Sequence, residues 1–172
     1  HIPKNGHAVL TNVTSSMAVL SIMGPKSRNL LQSLTDSDMS HEAFPFGTSR
    51  EIDLAYAHVR ASRITFVGEL GWELYIPTEF AAGVYDVILE AGKAFDLQHA
   101  GYHALNSLRV EKGYRHWGHD ITVDDTPLEA GLKFAVNFKK DGGFIGREAL
   151  LAQKEKGLKK RLVQFALDDP RP

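Results

Sequence analysis

The alternation of apolar and polar residues in GWELYIP, residues 71–77, constrains the fold more than any other feature of this 172-residue chain. The pattern predicts a strand that places Trp72, Leu74 and Ile76 on one face and Glu73 on the other. A carboxylate within an apolar run is costly unless a partner compensates it. The role of Glu73 is therefore the first functional question that the sequence raises.

The order of the predicted elements indicates the fold class. Apolar and β-branched runs predict strands, and apolar residues at helical spacing between glycines and prolines predict helices. The predicted strands are residues 7–14, 17–23, two strands within 51–67 that break near Ala61, 72–76, 134–138 and 161–167, and the predicted helices are residues 26–35, 79–95, 102–113, a short helix capped by Thr126 and Glu129, and 146–157. Strands and helices do not alternate regularly, so we predict an α+β domain with a mainly antiparallel sheet.

Composition excludes several classes of function. Hydrophobic residues make up 43% and charged residues 24%, as in an ordinary globular domain. The net charge is −1 and the basic residues are dispersed, which argues against nucleic acid as the main partner. No apolar run reaches the roughly 20 residues of a membrane span, so we do not expect a membrane partner. Cysteine is absent, which excludes disulfides, zinc–thiolate sites and cysteine nucleophiles.

Glu73 is the first candidate for a binding residue. One interpretation places it on the solvated face of an edge strand. The other places it in a pocket, where its carboxylate accepts two parallel hydrogen bonds from a planar heterocycle with an amidine-like edge. In that case Phe66 would supply a stacking ring, and Gly68 and Gly71 would let the backbone turn or approach a ligand closely. Glu69, between these glycines, is expected to point to solvent.

The stretch LNSLRVEKGYRHWGHD, residues 105–120, is the second candidate. It is either a helix with a solvated face followed by a loop that Trp117 anchors, or the lining of a cleft. In the cleft, Arg109 would hold a carboxylate and Trp117 would stack on a ligand. Two histidines and an aspartate at the end of the stretch are too few ligands for a metal site without a fourth elsewhere, so no metal is expected.

Six motifs in order resemble a known family. The chain resembles the folate-binding aminomethyltransferase module of the glycine-cleavage system, and more closely the folate region of sarcosine dehydrogenase and dimethylglycine dehydrogenase. The motifs are VTSSMAVLSIMGPKSR at 13–28, FVGELGWELYIP at 66–77, AGYHALNSLRVEKGYRHWGHD at 100–120, TPLEAGL at 126–132, FIGREAL at 144–150 and GLKKRLVQF at 157–165. Together they span nearly the whole chain.

The resemblance implies a fold, a cofactor and site residues. It implies a ferredoxin-like core, the middle part of an aminomethyltransferase-type folate-binding region, with tetrahydrofolate as cofactor. Glu73 matches the second Glu of the family motif G-E-x-G-x-E and would contact the pterin edge, while Phe66 stands where the family often has Tyr. Arg109 matches the Arg of L-R-x-E and is expected to support the site. Trp117, from the cleft interpretation, completes the predicted folate-binding residues.

The resemblance also implies the activity of a longer protein. In that family an N-terminal FAD domain oxidises a small N-methyl amine such as sarcosine or dimethylglycine, and the folate region captures the one-carbon unit as 5,10-methylenetetrahydrofolate. The FAD domain and the family's catalytic Asp fall outside this chain, which begins with His1 rather than Met. We therefore expect a piece without turnover of its own. The expected compartment is the mitochondrial matrix for a eukaryotic protein and the cytoplasm for a bacterial one.

Two further interpretations concern domains and function. Residues 1–160 are predicted to form a partial aminomethyltransferase-like domain, and residues 161–172 to begin a C-terminal barrel domain. The regulatory subunit of pyruvate dehydrogenase phosphatase resembles the same enzymes, so a binding or regulatory role is an alternative to catalysis. A stand-alone glycine-cleavage aminomethyltransferase is the other alternative. Leu105, where those enzymes often have Arg, argues against it.

Overall fold

The computed structural model describes residue 2 and residues 5–169 of the chain. It divides into two compact units, residues 1–112 and 113–172, and each is described by itself. Within the described residues, every helix is too short or too polar to span a bilayer. The predicted domain boundary between residues 160 and 161 stays a prediction.

Four strands of the first unit form one antiparallel sheet in the order β1-β4-β3-β2. Because β1 and β3 are both antiparallel to β4, they run parallel to each other on either side of it, an arrangement found in ferredoxin-like folds. The strands are β1 (Met17–Met23), β2 (Ser49–Leu54), β3 (Ala57–Ser62) and β4 (Gly71–Pro77), and the helices of this unit are α1 (Ser27–Gln32), α2 (Ala81–Gly92) and α3 (Tyr102–Glu111). The predicted α+β class with a mainly antiparallel sheet is confirmed.

One face of the sheet packs against α1 and α2 to form the core. Trp72, Leu74 and Ile76 on β4 are all 0% exposed, as the alternation predicts. Their core neighbours include Leu30 and Leu31 from α1 and Val84 and Ile88 from α2. Since β4 is an inner strand, its side chains lie near the centre of this face. Their burial fixes the register of β4 and so determines which residues face the other way.

Two predicted boundaries in the first unit are wrong. The chain turns between β2 and β3 at Ala55 and Tyr56, not near Ala61, and Ala55 has a φ of 54°. No glycine or asparagine marks this turn in the sequence. The helix predicted at residues 79–95 is α2 flanked by two 3₁₀ turns, Thr78–Phe80 and Lys93–Phe95. The Thr78 hydroxyl donates to the Ser15 carbonyl oxygen at 3.0 Å and does not cap the helix.

The buried residue of α3 also differs from the prediction. Helical spacing in residues 102–113 predicts Leu105 and Leu108 as the inward residues, but Leu108 is 40% exposed and Leu105 is only partly buried. Arg109 is the buried residue of this helix, at 2% exposure. A guanidinium that is buried requires polar or aromatic partners, so α3 is fixed in place by an arginine rather than by a leucine stripe.

The second unit contains little regular structure among its described residues. Its helix is α4 (Arg147–Lys156), where the sequence predicts one, and a 3₁₀ turn covers Lys133–Ala135. The strands predicted at 134–138 and 161–167 do not form, and neither does the strand predicted at 7–14 of the first unit. Strand propensity reports only that a residue suits a pleated surface, and none of these segments lies in the sheet.

The capping box predicted in the second unit is present. The backbone N–H of Thr126 donates to Glu129 Oε2 at 3.1 Å, and the backbone N–H of Glu129 donates to Thr126 Oγ1 at 3.2 Å. These reciprocal bonds satisfy backbone donors at the start of a helical turn. The turn does not continue into a longer helix. The hydrogen bonds from Thr126 lower the pKa of the Glu129 carboxyl.

Candidate functional site

Glu73 lies on the side of the sheet opposite the core. Residues that pair directly across strands share a face, and Glu73 pairs with Ser21 on β1 and with Ser62 on β3. Tyr75, two residues along β4, pairs with Val19 and Arg60 in the same way. We call this side the polar face. Its residues used below are Ser21, Glu51, Arg60, Ser62, Glu73 and Tyr75.

The carboxylate of Glu73 accepts a hydrogen bond from Tyr75. The distance from Tyr75 Oη to Glu73 Oε2 is 2.9 Å, and both residues are partly buried. The pKa of the Tyr75 hydroxyl is raised, first because it donates to Glu73, then because of burial and the negative charge of Glu73. The hydrogen bond therefore links the Tyr75 hydroxyl directly to the Glu73 carboxylate.

On the part of the polar face formed by β2 and β3, charged side chains form ion pairs with one another. Arg60 on β3 donates to Glu51 on β2 at 2.7 Å, and His58 Nδ1 lies 2.8 Å from Asp53 Oδ1. The pKa of His58 is raised by its hydrogen bonds to Asp53 and Glu51. All of these side chains are largely exposed. Arg60, the cation on this face nearest in register to β4, is thus already paired with a carboxylate.

Glu73, by contrast, has no cationic partner within the part of the chain that the structure describes. Among residues 5–169, no Lys, Arg or His nitrogen lies within 4.0 Å of its carboxylate, since none of the ion pairs in this range includes it. Its cross-strand neighbours are the small hydroxyls of Ser21 and Ser62. A partly buried carboxylate with one hydroxyl donor retains most of its capacity to accept hydrogen bonds. It can therefore receive N–H groups from a ligand.

The segment between β3 and β4, residues 63–70, is held near its end by contacts of Glu69 and Leu70 with other parts of the first unit. Glu69 forms an ion pair with Lys112 at 2.9 Å, and its side chain is 38% exposed. The prediction that Glu69 points to solvent therefore missed its partner, whose pKa the interaction raises. At the next residue, the Leu70 carbonyl oxygen accepts from the backbone N–H of Gly24 at 2.7 Å and from Ser27 Oγ at 3.0 Å.

Gly71 begins β4 in a position that has no room for a side chain. A Cβ at Gly71 would lie 2.7 Å from Met23 Cγ and 2.8 Å from the Ile22 carbonyl oxygen. The glycine thus lets β4 approach β1 closely at Met23, its partner in the register. This contact sets the start of the strand that carries Glu73.

Phe66 and Arg109, two of the predicted site residues, lie close together. Arg109 Cζ lies 5.9 Å from the centroid of the Phe66 ring, a cation–π distance. Arg109 also donates from Nε to Asn106 Oδ1 at 2.9 Å. Because it is 2% exposed, its guanidinium serves as a link between α3 and the segment before β4. The structure thus joins loop 63–70 to α3 through both Arg109–Phe66 and Lys112–Glu69.

Trp117 belongs to the second unit and is described within it. Its side chain is 62% exposed, and it forms an isolated bridge with Ile121. Nearby, the His116 and His119 rings stack at 5.7 Å, and His119 Nδ1 lies 3.0 Å from Asp120 Oδ1. Across the described residues, no group of three or more His, Cys, Asp or Glu side chains is arranged to hold a metal ion.

The sequence alone assigned no role in the site to two residues of this region, Tyr75 and Lys112. Tyr75 had a sequence signal, because the alternation in β4 places it on the same face as Glu73 two residues earlier. Lys112 had none, because its contact with Glu69 spans 43 positions of the chain. Period-based reasoning finds neighbours within one strand but cannot find pairs that the tertiary fold creates.

Comparison with known proteins identifies the family. The profile of the GCVT N-terminal domain matches residues 1–140. The chain belongs to this family. Its relatives include mitochondrial sarcosine dehydrogenase of Homo sapiens, which is 48% identical over 163 residues, 95% of this chain. Mitochondrial dimethylglycine dehydrogenase of Homo sapiens is 42% identical over 172 residues, 98% of this chain.

An aminomethyltransferase is also similar. The enzyme of that name from Caldanaerobacter subterraneus subsp. tengcongensis is 45% identical over 158 residues, 92% of this chain. The chain spans 18% of the human sarcosine dehydrogenase, 20% of the human dimethylglycine dehydrogenase and 42% of the aminomethyltransferase. The predicted resemblance to the aminomethyltransferase-like region of these dehydrogenases is therefore confirmed.

Proposed function

We propose that this chain is the tetrahydrofolate-binding region of a protein related to sarcosine and dimethylglycine dehydrogenases. The observation that carries the proposal is the state of Glu73, a partly buried carboxylate that has a hydroxyl donor but no cationic partner among residues 5–169. A pterin edge offers adjacent N–H groups that such a carboxylate can accept. The family membership and the named relatives support the same proposal.

The residue types predicted for the site suit a flat, hydrogen-bonding cofactor. The burial of Trp72 and Leu74 on the other face holds Glu73 in register. Phe66 would pack against the pterin, and Arg109 would keep its ring in place from α3 rather than contact the cofactor. Trp117, whose indole is 62% exposed within the second unit, keeps the stacking role predicted from the sequence as a separate proposal.

Tetrahydrofolate, when bound, would accept the one-carbon unit and carry it as 5,10-methylenetetrahydrofolate. The protein's own part would be to orient the pterin through Glu73 and to exclude water from the reactive carbon. Oxidation of the N-methyl amine with FAD would take place in other parts of a longer protein, and no turnover is expected from this chain alone. By analogy with the mitochondrial relatives, a eukaryotic protein would work in the matrix.

Calorimetric titration of 5-formyltetrahydrofolate tests the proposal. Glu73→Gln keeps the size of the side chain but removes its charge, and the lost charged hydrogen bond should cost about 1.5–3 kcal/mol, or about tenfold or more in affinity. Glu51→Gln is the matched control, because Glu51 lies on the same polar face and pairs with Arg60. Equal affinities for wild type and Glu73→Gln would show that Glu73 does not bind the pterin. Absence of binding to both the chain and the longer protein would refute the folate proposal.

A further inference from the structure

We propose that Tyr75 is the positioning residue of the Glu73 carboxylate, holding it in one orientation on the polar face before a ligand binds. This inference deepens the proposed function and rests on it wherever folate affinity is concerned. Its basis is the hydrogen bond of 2.9 Å from Tyr75 Oη to Glu73 Oε2. The two side chains share a face of one strand, two residues apart.

The other neighbours of Glu73 cannot hold its carboxylate in place. Ser21 and Ser62, which pair with it across the sheet, have short side chains and form no hydrogen bond with it. Arg60 faces Tyr75 in the register but is bound to Glu51 at 2.7 Å. The β1 residue opposite Tyr75 is Val19, which has no polar side chain. Among the described residues, the Tyr75 hydroxyl is therefore the group that restrains the Glu73 side chain, which has three rotatable bonds.

The hydrogen bond also determines which atoms face a ligand. Tyr75 occupies one lone pair of Oε2, so Oε1 keeps its full acceptor capacity. The phenolic oxygen of Tyr75, having donated its proton, can itself accept a hydrogen bond. Glu73 and Tyr75 together thus offer a row of adjacent acceptors. The ligand that this row suits is a planar heterocycle with neighbouring N–H donors, and an anionic group would be repelled.

A first experiment tests the hydrogen bond without any ligand. Tyrosine labelled with ¹³C at Cζ reports the ionisation of each of the five tyrosines by NMR, and the Tyr75→Phe spectrum assigns the Tyr75 signal. We expect the pKa of Tyr75 to fall toward its ordinary value in Glu73→Gln, because the charged acceptor that raises it is gone. An unchanged Tyr75 titration would overturn the inference, whatever the protein binds.

A second experiment tests positioning with 5-formyltetrahydrofolate. Tyr75→Phe should weaken binding by about 2- to 10-fold, because the ligand must then immobilise the Glu73 side chain itself. The same change should have a clearly smaller effect in the Glu73→Gln background, since Tyr75 then has no carboxylate to hold and only its own acceptor oxygen is lost. Tyr85→Phe is the matched control, because Tyr85 lies on α2 and its hydroxyl hydrogen-bonds to His99 Nε2 at 2.8 Å, away from Glu73 in the chain, so affinity should stay as in wild type.

The outcomes separate this inference from the proposed function. If Glu73→Gln weakens binding but Tyr75→Phe does not, the folate site stands and the positioning role is wrong. If Tyr75→Phe weakens binding equally in the wild-type and the Glu73→Gln backgrounds, Tyr75 does not act through the carboxylate, and the inference is again wrong. If neither substitution changes affinity while the Tyr75 titration responds to Glu73→Gln, the hydrogen bond exists, but neither Glu73 nor Tyr75 contributes to folate binding and the positioning role is wrong.

Discussion

Replacing Gly71 with Ala should destabilise the strand that carries Glu73. The new Cβ would lie 2.8 Å from the Ile22 carbonyl oxygen and 2.7 Å from Met23 Cγ. Restoring the 3.4 Å of ordinary contact to that oxygen requires β1 and β4 to separate by about 0.6 Å. The oxygen belongs to the backbone and cannot rotate away, and Ile22 is itself buried at 6% exposure. Overpacking of this kind costs about 1–3 kcal/mol.

Gly83→Ala provides a matched control, because it makes the same chemical change. A Cβ there would meet Tyr56 Oη at 1.5 Å, a worse clash by distance. Tyr56, however, is 60% exposed and can rotate away, losing an edge contact with Phe80 worth about 0.5–1.5 kcal/mol. Gly83 lies within α2, where Ala is favoured over Gly by about 1 kcal/mol. The two effects nearly cancel, so its stability should stay within about 1 kcal/mol of wild type.

Urea denaturation followed by Trp72 fluorescence measures both variants. The chain has two tryptophans, so a Trp117→Phe background isolates the signal of Trp72, which is wholly buried in the core of the first unit. The urea midpoint of Gly71→Ala should fall clearly below that of Gly83→Ala. In a thermal melt followed by the same fluorescence, the melting temperature of Gly71→Ala should be about 2–12 °C lower than that of wild type. A Gly71→Ala protein as stable as Gly83→Ala would refute the reasoning from the backbone contact.

The remaining predictions concern a pH dependence and a helix cap. The pKa of His58 is raised in the folded state, so its ion pairs add stability that is fully present below the unfolded pKa and is lost as pH rises through the folded pKa. Asp53→Asn should therefore lower the urea midpoint more at pH 6 than at pH 8.5, and an equal loss at both would contradict this. Thr126→Ala removes the hydroxyl of the capping box and should cost about 1 kcal/mol, which amide hydrogen exchange at Glu129 and Ala130 would show as roughly fivefold faster exchange. Unchanged exchange at these amides would show that the cap does not stabilise the turn.

The sequence correctly predicted the features that depend on residues close together in the chain, such as the alternation of side chains along a strand. The alternation in β4 correctly placed Trp72, Leu74 and Ile76 in the core and Glu73 opposite them, because successive residues of a strand point to opposite faces. The helix at α4 and the capping box of Thr126 were also found, since glycine and capping residues mark helix starts within a few positions.

Features that depend on distant partners were missed. The strands expected at 134–138 and 161–167 have suitable residues, but a strand also needs a neighbour, which propensity does not supply. The burial of Arg109 in place of Leu108 follows from its packing over Phe66, 43 positions earlier. The functional roles of Phe66, Arg109 and Trp117 remain proposals, as does that of Glu73.

The placement of Glu73 and Tyr75 on one strand has a consequence for how the site can change. Their spacing is a property of the pleat of β4, about 7 Å between Cα atoms, and does not depend on how other parts of the protein move. A site assembled from separate segments loses its geometry when those segments shift, whereas this acceptor row persists as long as β4 stays paired. If Glu73 and Tyr75 act as proposed, ligand preference is therefore encoded in three consecutive positions, and a few codons suffice to alter it.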